Sequence, residues 1–191
     1  MEKLTGLKKI KTAVFISGRG SNLKNLIKFS KTKKSPIIID LVISNKKAFG
    51  LKYANQYKIK KKIISFKTNR IAEKKSLMVL NKRNIEFICL AGFMKILSKS
   101  FIKKFKGKIV NIHPSYLPKY KGLNTSVRAL RNNEKFSGCT VHYVSAKLDS
   151  GKIILQKKVK ISARDNPASL KKKVLKQEHK LYPAAIMKIF N

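Results

Sequence analysis

The sequence predicts an α/β protein with a doubly wound, mostly parallel, Rossmann-like sheet and an antiparallel pair of strands toward its C-terminal end. Short β-branched runs alternate with longer amphipathic stretches, as in repeated βαβ units. These runs are apolar almost throughout, which is expected when helices cover both faces of a sheet. Only Ser145–Lys152 separates the last two runs, so they favour an antiparallel pair.

The parallel part of the sheet is expected up to Asn111. Its predicted strands are Thr12–Ser17, Ile37–Ser44, Ile63–Phe66, Phe87–Ala91 and Lys108–Asn111. The helices predicted between them lie near Asn22–Phe29, Ala48–Gln56, Ile71–Asn84 and Lys99–Phe105. The later elements are a helix near Ser126–Asn132, strands near Thr140–Val144 and Ile153–Val159, and a helix from about Ala168. Pro183 is expected to kink or end that last helix, because proline lacks a backbone N–H.

Composition indicates a single domain, residues 1–191, in the cytoplasm. The apolar content of 43% is ordinary for a globular protein of this length. No apolar run is long enough to span a bilayer, and the first residues lack the apolar stretch of a signal peptide. Cys89 and Cys139 lie in apolar runs and are interpreted as reduced core residues. No spacing of histidines and cysteines predicts a metal site.

The charge of the chain is extreme, with 46 lysines and arginines against 8 acidic residues and a net charge of +38. A lysine-rich, nucleic-acid-binding α/β protein is therefore the competing interpretation. However, 40 of the basic residues are lysine and 6 are arginine, whereas base recognition depends on arginine. The lysines are also spread along the whole chain. We expect a solvated surface with no specific nucleic-acid partner, which attracts small anionic substrates.

Asn111 and His113 follow the apolar run Ile109-Val110 and begin a long loop braced by prolines. Alternate residues of an extended chain project to the same side, so the two side chains are expected together. The pair combines a neutral hydrogen-bond donor with a group that exchanges a proton near pH 7. This pattern favours chemistry through an oxyanion; a structural turn histidine is the alternative.

Two glycine-containing segments follow predicted strands, at the strand ends where α/β sheets bind ligands. The first is Ser17-Gly-Arg-Gly-Ser-Asn22, whose backbone amides can bind an anion at the start of a helix capped by Ser21 or Asn22. It is neither a dinucleotide fingerprint nor a Walker loop. The second is Ala91–Ser98, in which Gly92 admits a flat ligand beside apolar side chains. An ordinary structural turn is the alternative for each segment.

Three further polar residues are candidates for the site. Asp149 lies in a turn and could pair with His113, and a carboxylate there would raise the pKa of the imidazole. His142 is interpreted as a half-buried histidine of a strand. Glu178 has Val174, Leu175, Leu181 and Tyr182 as its helical neighbours, so it lies on the inward stripe. It forms either a buried structural salt bridge or a contact with a substrate amine or amide.

In five segments, taken in order and spacing, the chain resembles the glycinamide ribonucleotide formyltransferases, the folate-dependent enzymes of de novo purine synthesis. The segments are Ile16–Leu23, Ala91–Ser98, Asn111–Thr125, Thr140–Val159 and Gln177–Pro183. Other folate formyl-transfer enzymes share the Asn-x-His pair and the later aspartate. The Gly-Arg-Gly-Ser-Asn loop and Lys119–Thr125 are the features that favour the purine enzymes.

The resemblance implies the formyltransferase fold and transfer of a formyl group from 10-formyltetrahydrofolate, as co-substrate and without a metal, to the amine of glycinamide ribonucleotide. It implies catalysis by Asn111, a protonated His113 and Asp149. The nucleotide is expected at Gly20, Ser21, Asn22, Leu175, Lys176, Gln177 and Glu178. The folate is expected at Arg70, Met94, Lys95, Ile96, Leu97, Asn111, Ser145, Ala146, Lys147, Leu148 and Asp149. The expected assembly is a monomer or a homodimer, without a membrane partner.

One residue departs from the pattern of the family. Lys95 stands where the resemblance leads us to expect arginine. Lysine keeps the positive charge but loses the planar guanidinium that binds two acceptors at once.

Overall fold

The computed structural model describes residues 8–190, and in them a seven-stranded sheet has the order β3-β2-β1-β4-β5-β6-β7. The strands are β1 (Ile10–Ile16), β2 (Ile37–Ser44), β3 (Lys60–Ile63), β4 (Phe87–Leu90), β5 (Lys108–His113), β6 (Phe136–Tyr143) and β7 (Ile153–Lys160). The helices are α1 (Ser21–Ser30), α2 (Leu51–Gln56), α3 (Asn69–Lys82), α4 (Lys99–Lys104), α5 (Thr125–Arg131) and α6 (Pro167–Phe190).

The doubly wound fold class is confirmed. Strands β1 to β5 pair in parallel, whereas β6 pairs antiparallel with both β5 and β7. Side chains of β1 alternate between two hydrophobic clusters: Val14 and Ile16 enter one, and Ala13 and Phe15 enter the other. This alternation follows from the two-residue period of a strand, and it places apolar layers on both faces of the sheet.

The third strand was placed wrongly. It covers Lys60–Ile63 rather than Ile63–Phe66, and its four residues are exposed at the edge of the sheet. Three consecutive lysines gave no apolar signal, yet lysines suit an edge strand because their charge discourages pairing with another chain. Ile64 and Phe66, which carried the prediction, are buried just beyond the strand.

The last helix does not end at Pro183, which lies inside α6. Proline offers no N–H to the carbonyl of the residue four positions earlier, here His179. In the structure, Asn25 Nδ2 donates to that carbonyl oxygen at 2.6 Å. The side chain of α1 thus satisfies the acceptor that the proline leaves free, and the helix continues.

The loops after β1 and β4 are tied together at the centre of the sheet. The Ser17 N–H donates to the Gly92 carbonyl at 3.1 Å, and Ser17 Oγ accepts from the Met94 N–H at 2.8 Å. Because β1 and β4 are neighbours whose crossovers run in opposite directions, this is the switch point where α/β sheets bind ligands. Among the described helices, none is both long and apolar enough to cross a membrane.

Candidate active site

Asn111 and His113 lie at the carboxyl end of β5, and their partners on β6 are His142 and Thr140. Asp149 reaches the same place from the loop between β6 and β7. The structure brings its Oδ2 within 3.3 Å of His113 Nδ1, and its Oδ1 lies 3.5 Å from Asn111 Nδ2. The three residues predicted to carry the chemistry therefore form one cluster.

The two ring nitrogens of His113 have different environments. Nε2 lies 2.8 Å from the Tyr120 carbonyl oxygen, whereas Nδ1 faces the Asp149 carboxylate. A carbonyl only accepts hydrogen bonds, so Nε2 must carry a hydrogen. Nδ1 is therefore the nitrogen at which His113 gains or loses its proton.

Burial lowers the pKa of His113 below its ordinary value, although the Tyr120 carbonyl and the Asp149 carboxylate both raise it. The predicted effect of Asp149 on this pKa is present, but burial outweighs it. The ring is 5% exposed, and loss of water disfavours the imidazolium more than its neighbours favour it. The lowered pKa favours the neutral ring in the free protein at pH 7.

The Asp149 carboxylate is held ionised. Burial raises its pKa, but the nearby His142, the hydrogen bond from the Gly122 N–H and the charge of the two histidines when they are protonated lower it below the ordinary value. The Gly122 N–H donates to Oδ2 at 2.9 Å. Gly122 lies in the loop that follows His113, so this loop holds in place the Asp149 carboxylate that faces the histidine.

His142 belongs to the cluster, which sequence reasoning missed by treating it as an ordinary strand residue. Its Nδ1 lies 2.8 Å from the Tyr143 carbonyl oxygen, and its Nε2 lies 3.2 Å from Asn111 Nδ2. With its hydrogen on Nδ1, the ring accepts at Nε2 and so orients the Asn111 amide nitrogen. The antiparallel register that pairs Asn111 with His142 brings it there, and the sequence alone does not show that register.

The first glycine-containing loop leaves the start of α1 open. The N-cap is Gly20, not Ser21 or Asn22 as predicted, and among the described residues no side chain caps the helix. Gly20 has φ of +73°, and a Cβ there would lie 2.6 Å from the Gly50 Cα atom. Backbone N–H groups at the start of a helix can bind an anion when no side chain caps them. The close approach of Gly20 and Gly50 leaves no room for a side chain at either position.

Asn22 and Glu178 join this loop to α6. Asn22 Nδ2 donates to Glu178 Oε2 at 2.7 Å, and Asn22 Oδ1 is buried without a partner among the described residues. Glu178 is 6% exposed, and burial raises its pKa although the Asn22 bond lowers it. The expected inward position is found, but within residues 8–190 the carboxylate forms no salt bridge.

Of the other α6 candidates, Lys176 is exposed, and Leu175 and Gln177 are half-buried.

A small cavity of about 80 Å³ lies beside this cluster of Asn111, His142 and Asp149. Eight residues predicted to bind folate line it: Lys95, Ile96, Leu97, Asn111, Ser145, Lys147, Leu148 and Asp149. It also includes four residues that were not predicted: Leu90, Phe93, His142 and Val144. Arg70, Met94 and Ala146 lie outside its lining. Most of the residues predicted to bind folate thus surround this one cavity, and three of them lie outside it.

A larger cavity of about 730 Å³ lies at the opposite, amino-terminal ends of the strands, where Ile38 and Lys60 are among its lining. None of the predicted site residues lines it. This larger cavity is therefore separate from the predicted site residues. The described residues also contain no group of histidine, cysteine and acidic side chains that could hold a metal ion.

Comparison with known proteins matches residues 10–186 to the family described as formyl transferase. Phosphoribosylglycinamide formyltransferase of Haemophilus influenzae is 41% identical, over 92% of this chain and 85% of that protein. The human trifunctional purine biosynthetic protein adenosine-3 is 44% identical over 94% of this chain, which spans only 18% of that longer protein. The crystal structure of phosphoribosylglycinamide formyltransferase from Brucella melitensis superimposes with a TM-score of 0.90 at 39% identity, covering 95% of this chain and 96% of that one.

Proposed function

The chain belongs to the formyl transferase family, and we propose that it transfers the formyl group of 10-formyltetrahydrofolate to the amine of glycinamide ribonucleotide. The product is formylglycinamide ribonucleotide, an intermediate of de novo purine synthesis. The observation that carries the proposal is the contact between His113 Nδ1 and Asp149 beside the Asn111 amide. It joins a proton acceptor, a fixed carboxylate and a neutral donor, as direct acyl transfer to an amine requires.

The reaction begins when the amine nitrogen attacks the formyl carbon, which becomes tetrahedral as its oxygen gains negative charge. Asn111 donates to that oxyanion. One hydrogen of its amide is used by His142, whereas the other makes only a 3.5 Å contact with Asp149 and is available to the substrate. Such a donor typically lowers a barrier by about 2.7–4 kcal/mol.

His113 then carries the proton. The neutral ring accepts at Nδ1 as the amine loses its proton, and the new imidazolium is stabilised by Asp149 and by the developing oxyanion. The C–N bond to the folate breaks when the leaving nitrogen receives a proton, so the proton count balances. The protonated His113 predicted from the sequence is, in this proposal, an intermediate state rather than the resting state.

The two substrates have separate anchors. The open start of α1 suits the ribose phosphate, and the Asn22–Glu178 pair suits the amine or amide end of the nucleotide. The cavity beside Asn111 suits the folate ring, although 80 Å³ is well below the roughly 300–1,000 Å³ of typical ligand sites. The exposed side chains of Leu148 and Ile96 border this space.

A formyl-transfer assay with both substrates at moderate salt tests the proposal. Relative to wild type, His113→Ala and Asp149→Asn should each reduce kcat by about 100-fold or more while nucleotide affinity stays similar. Asp165→Asn is the matched control, because Asp165 pairs with Lys173 at the start of α6 and away from the cluster. Near-normal turnover in either site variant, or tight RNA binding at physiological salt without formyl transfer, would overturn it.

A further inference from the structure

Tyr120 has a backbone conformation that few residues other than glycine adopt. Its φ of 57° lies in the left-handed region, where a Cβ atom crowds the backbone. Its carbonyl oxygen is the partner of His113 Nε2, at 2.8 Å. Residues in this conformation persist where their surroundings hold them, and they cluster at functional sites.

The side chain of Tyr120 is held by the turn between α5 and β6. Its hydroxyl donates to Glu134 Oε1 at 2.8 Å and accepts from Asn132 Nδ2 at 3.1 Å. Lys119 Nζ donates to both Glu134 oxygens, at 2.7 and 3.0 Å. Glu134 therefore binds two consecutive residues of the loop, Lys119 and Tyr120, and the carbonyl of Tyr120 contacts the catalytic histidine.

A third contact braces the same loop. The Arg128 guanidinium lies 5.1 Å from the centre of the Tyr120 ring and donates to the Lys121 carbonyl at 2.6 Å. The ring is thus fixed at its hydroxyl by Glu134 and at its face by Arg128. This leaves the Tyr120 peptide little freedom to turn its carbonyl away from His113.

We propose that Glu134 is a positioning residue for His113: by fixing Tyr120, it aims the Tyr120 carbonyl at Nε2 and reserves Nδ1, beside Asp149, for proton exchange. Rotation of that carbonyl would let the neutral ring place its hydrogen on Nδ1, where the Asp149 carboxylate would accept it. Nδ1 could not then take the proton of the amine. The inference deepens the proposed formyl transfer and rests on it, since that reaction supplies the proton.

The charged and titratable groups that act on His113 are Asp149, His142 and Arg128. Glu134 acts through the Tyr120 hydroxyl and does not touch the ring. A change at Glu134 therefore removes no direct neighbour of His113 and acts on the ring through Tyr120. Since the Tyr120 carbonyl raises the pKa of His113, its displacement should lower that pKa further.

The test compares Glu134→Ala and Tyr120→Phe with Glu134→Gln, whose side-chain oxygen still accepts from the Tyr120 hydroxyl. ¹⁵N NMR of the ring nitrogens, without substrate, reports the tautomer and pKa of His113. Both disrupting variants should lose the pure Nε2–H tautomer, titrate at lower pH and show kcat reduced about tenfold to a hundredfold, with nucleotide KM unchanged. Glu134→Gln should restore the wild-type tautomer and most of the kcat.

Asp165→Ala is the matched control, because Asp165 forms a similar lysine-paired network that does not reach His113. It should change stability without altering the titration of His113. A wild-type tautomer and pH profile in Tyr120→Phe, which keeps its carbonyl and ring, together with the same result in Glu134→Ala, would overturn the inference. Because the NMR measurement needs no substrate, a wild-type protein without formyl transfer would instead refute the proposed function.

Discussion

Asn22 and Glu178 are 156 residues apart in the sequence, and a hydrogen bond of 2.7 Å joins them at the junction of α1 and α6. The bond connects the loop proposed to hold the phosphate with the helix proposed to recognise the amine end of the nucleotide. Burial raises the pKa of Glu178, so the ionised carboxylate opposes folding more than the protonated form does. The site therefore reduces stability at neutral pH.

Glu178→Gln should stabilise the protein at neutral pH. The glutamine oxygen still accepts from Asn22 Nδ2, but the buried side chain no longer carries a negative charge. Because the folded pKa is raised, wild-type stability falls as the pH rises from the unfolded value near 4.5 through the folded one. The variant should be more stable than wild type at pH 7, with a much smaller difference at pH 4, as measured by urea denaturation at both values.

Glu86→Gln provides the comparison for that experiment, since Glu86 is exposed. It removes one negative charge, as Glu178→Gln does, but that charge is exposed rather than buried. An equal gain in both variants would attribute the effect to the overall charge of the chain and contradict the prediction. The amine substrate should also bind more weakly to Glu178→Gln than to Glu86→Gln.

Asp149→Asn should lower the pKa of His113, because the carboxylate is one of the groups that raise it. The acid limb of the pH profile of kcat should move to lower pH together with this pKa. NMR titration of the chain's three histidines measures both the change and its control, since burial lowers the pKa of His179 without any contribution from Asp149. A His113 titration unchanged by the substitution would show that the carboxylate does not act on the ring.

The same shifts make folding depend on pH. His113 and His179 both have folded pKa values below the ordinary 6.5, so the unfolded chain binds more protons. Stability should therefore be lost as the pH falls from about 6.5 through the folded values. Thermal melts of wild type between pH 7.5 and 5 should show this decrease, and the decrease should be smaller in His179→Gln.

Gly20→Ala and Gly50→Ala should weaken nucleotide binding. A Cβ on Gly20 would lie 2.6 Å from Gly50 Cα, and one on Gly50 would lie 2.8 Å from Gly20 Cα. Either methyl group must push the loop at the start of α1 away from its partner, and Gly20 also loses its tolerance of positive φ. The KM for the nucleotide should rise about tenfold or more, with the KM for the folate nearly unchanged.

Gly18 supplies the control from the same loop. A Cβ there meets nothing within 4 Å, and its backbone is outside the left-handed region. Gly18→Ala should accordingly keep a nucleotide KM close to that of wild type. Equal losses in all three variants would mean that the loop tolerates no side chain at all, and the contact between Gly20 and Gly50 would not be the cause.

The sequence predicted most of the sheet and the relation of Asn111 to His113, since apolar runs and the two-residue period are local signals. It failed where the signal was not local. The lysine-rich edge strand Lys60–Ile63 has no apolar pattern, and the position of His142 depends on an antiparallel register that one chain does not reveal. Tyr120 acts through a backbone carbonyl, which every residue possesses, so its side-chain identity gives no indication of that contact.

Pro183 illustrates a tertiary contact that overrides a local rule. Proline normally interrupts a helix because the carbonyl four residues earlier loses its donor. In α6 that acceptor is supplied by Asn25, from a helix far away in the sequence. This contact depends on the packing of α1 against α6, so the residues around Pro183 could not predict it.

Tyr182→Phe should destabilise the fold from inside α6. The ring is fully buried, and its hydroxyl donates to the carbonyl oxygens of Leu90 at 3.0 Å and Val110 at 3.3 Å. These carbonyls belong to β4 and β5, so the bond ties the helix to the strands that position the site. Its loss should cost about 1 kcal/mol, measured as a lower midpoint of urea denaturation with an unchanged slope.

Tyr57→Phe is the matched control, because within the described residues the Tyr57 hydroxyl has no hydrogen-bond partner and the ring is half-buried. It removes the same oxygen atom without breaking a buried bond, so its midpoint should stay close to that of wild type. If Tyr182→Phe were as stable as Tyr57→Phe, the hydroxyl would contribute nothing beyond the packing of its ring. The attachment of α6 to β4 and β5 would then rest on the apolar contacts of Tyr182 with the core.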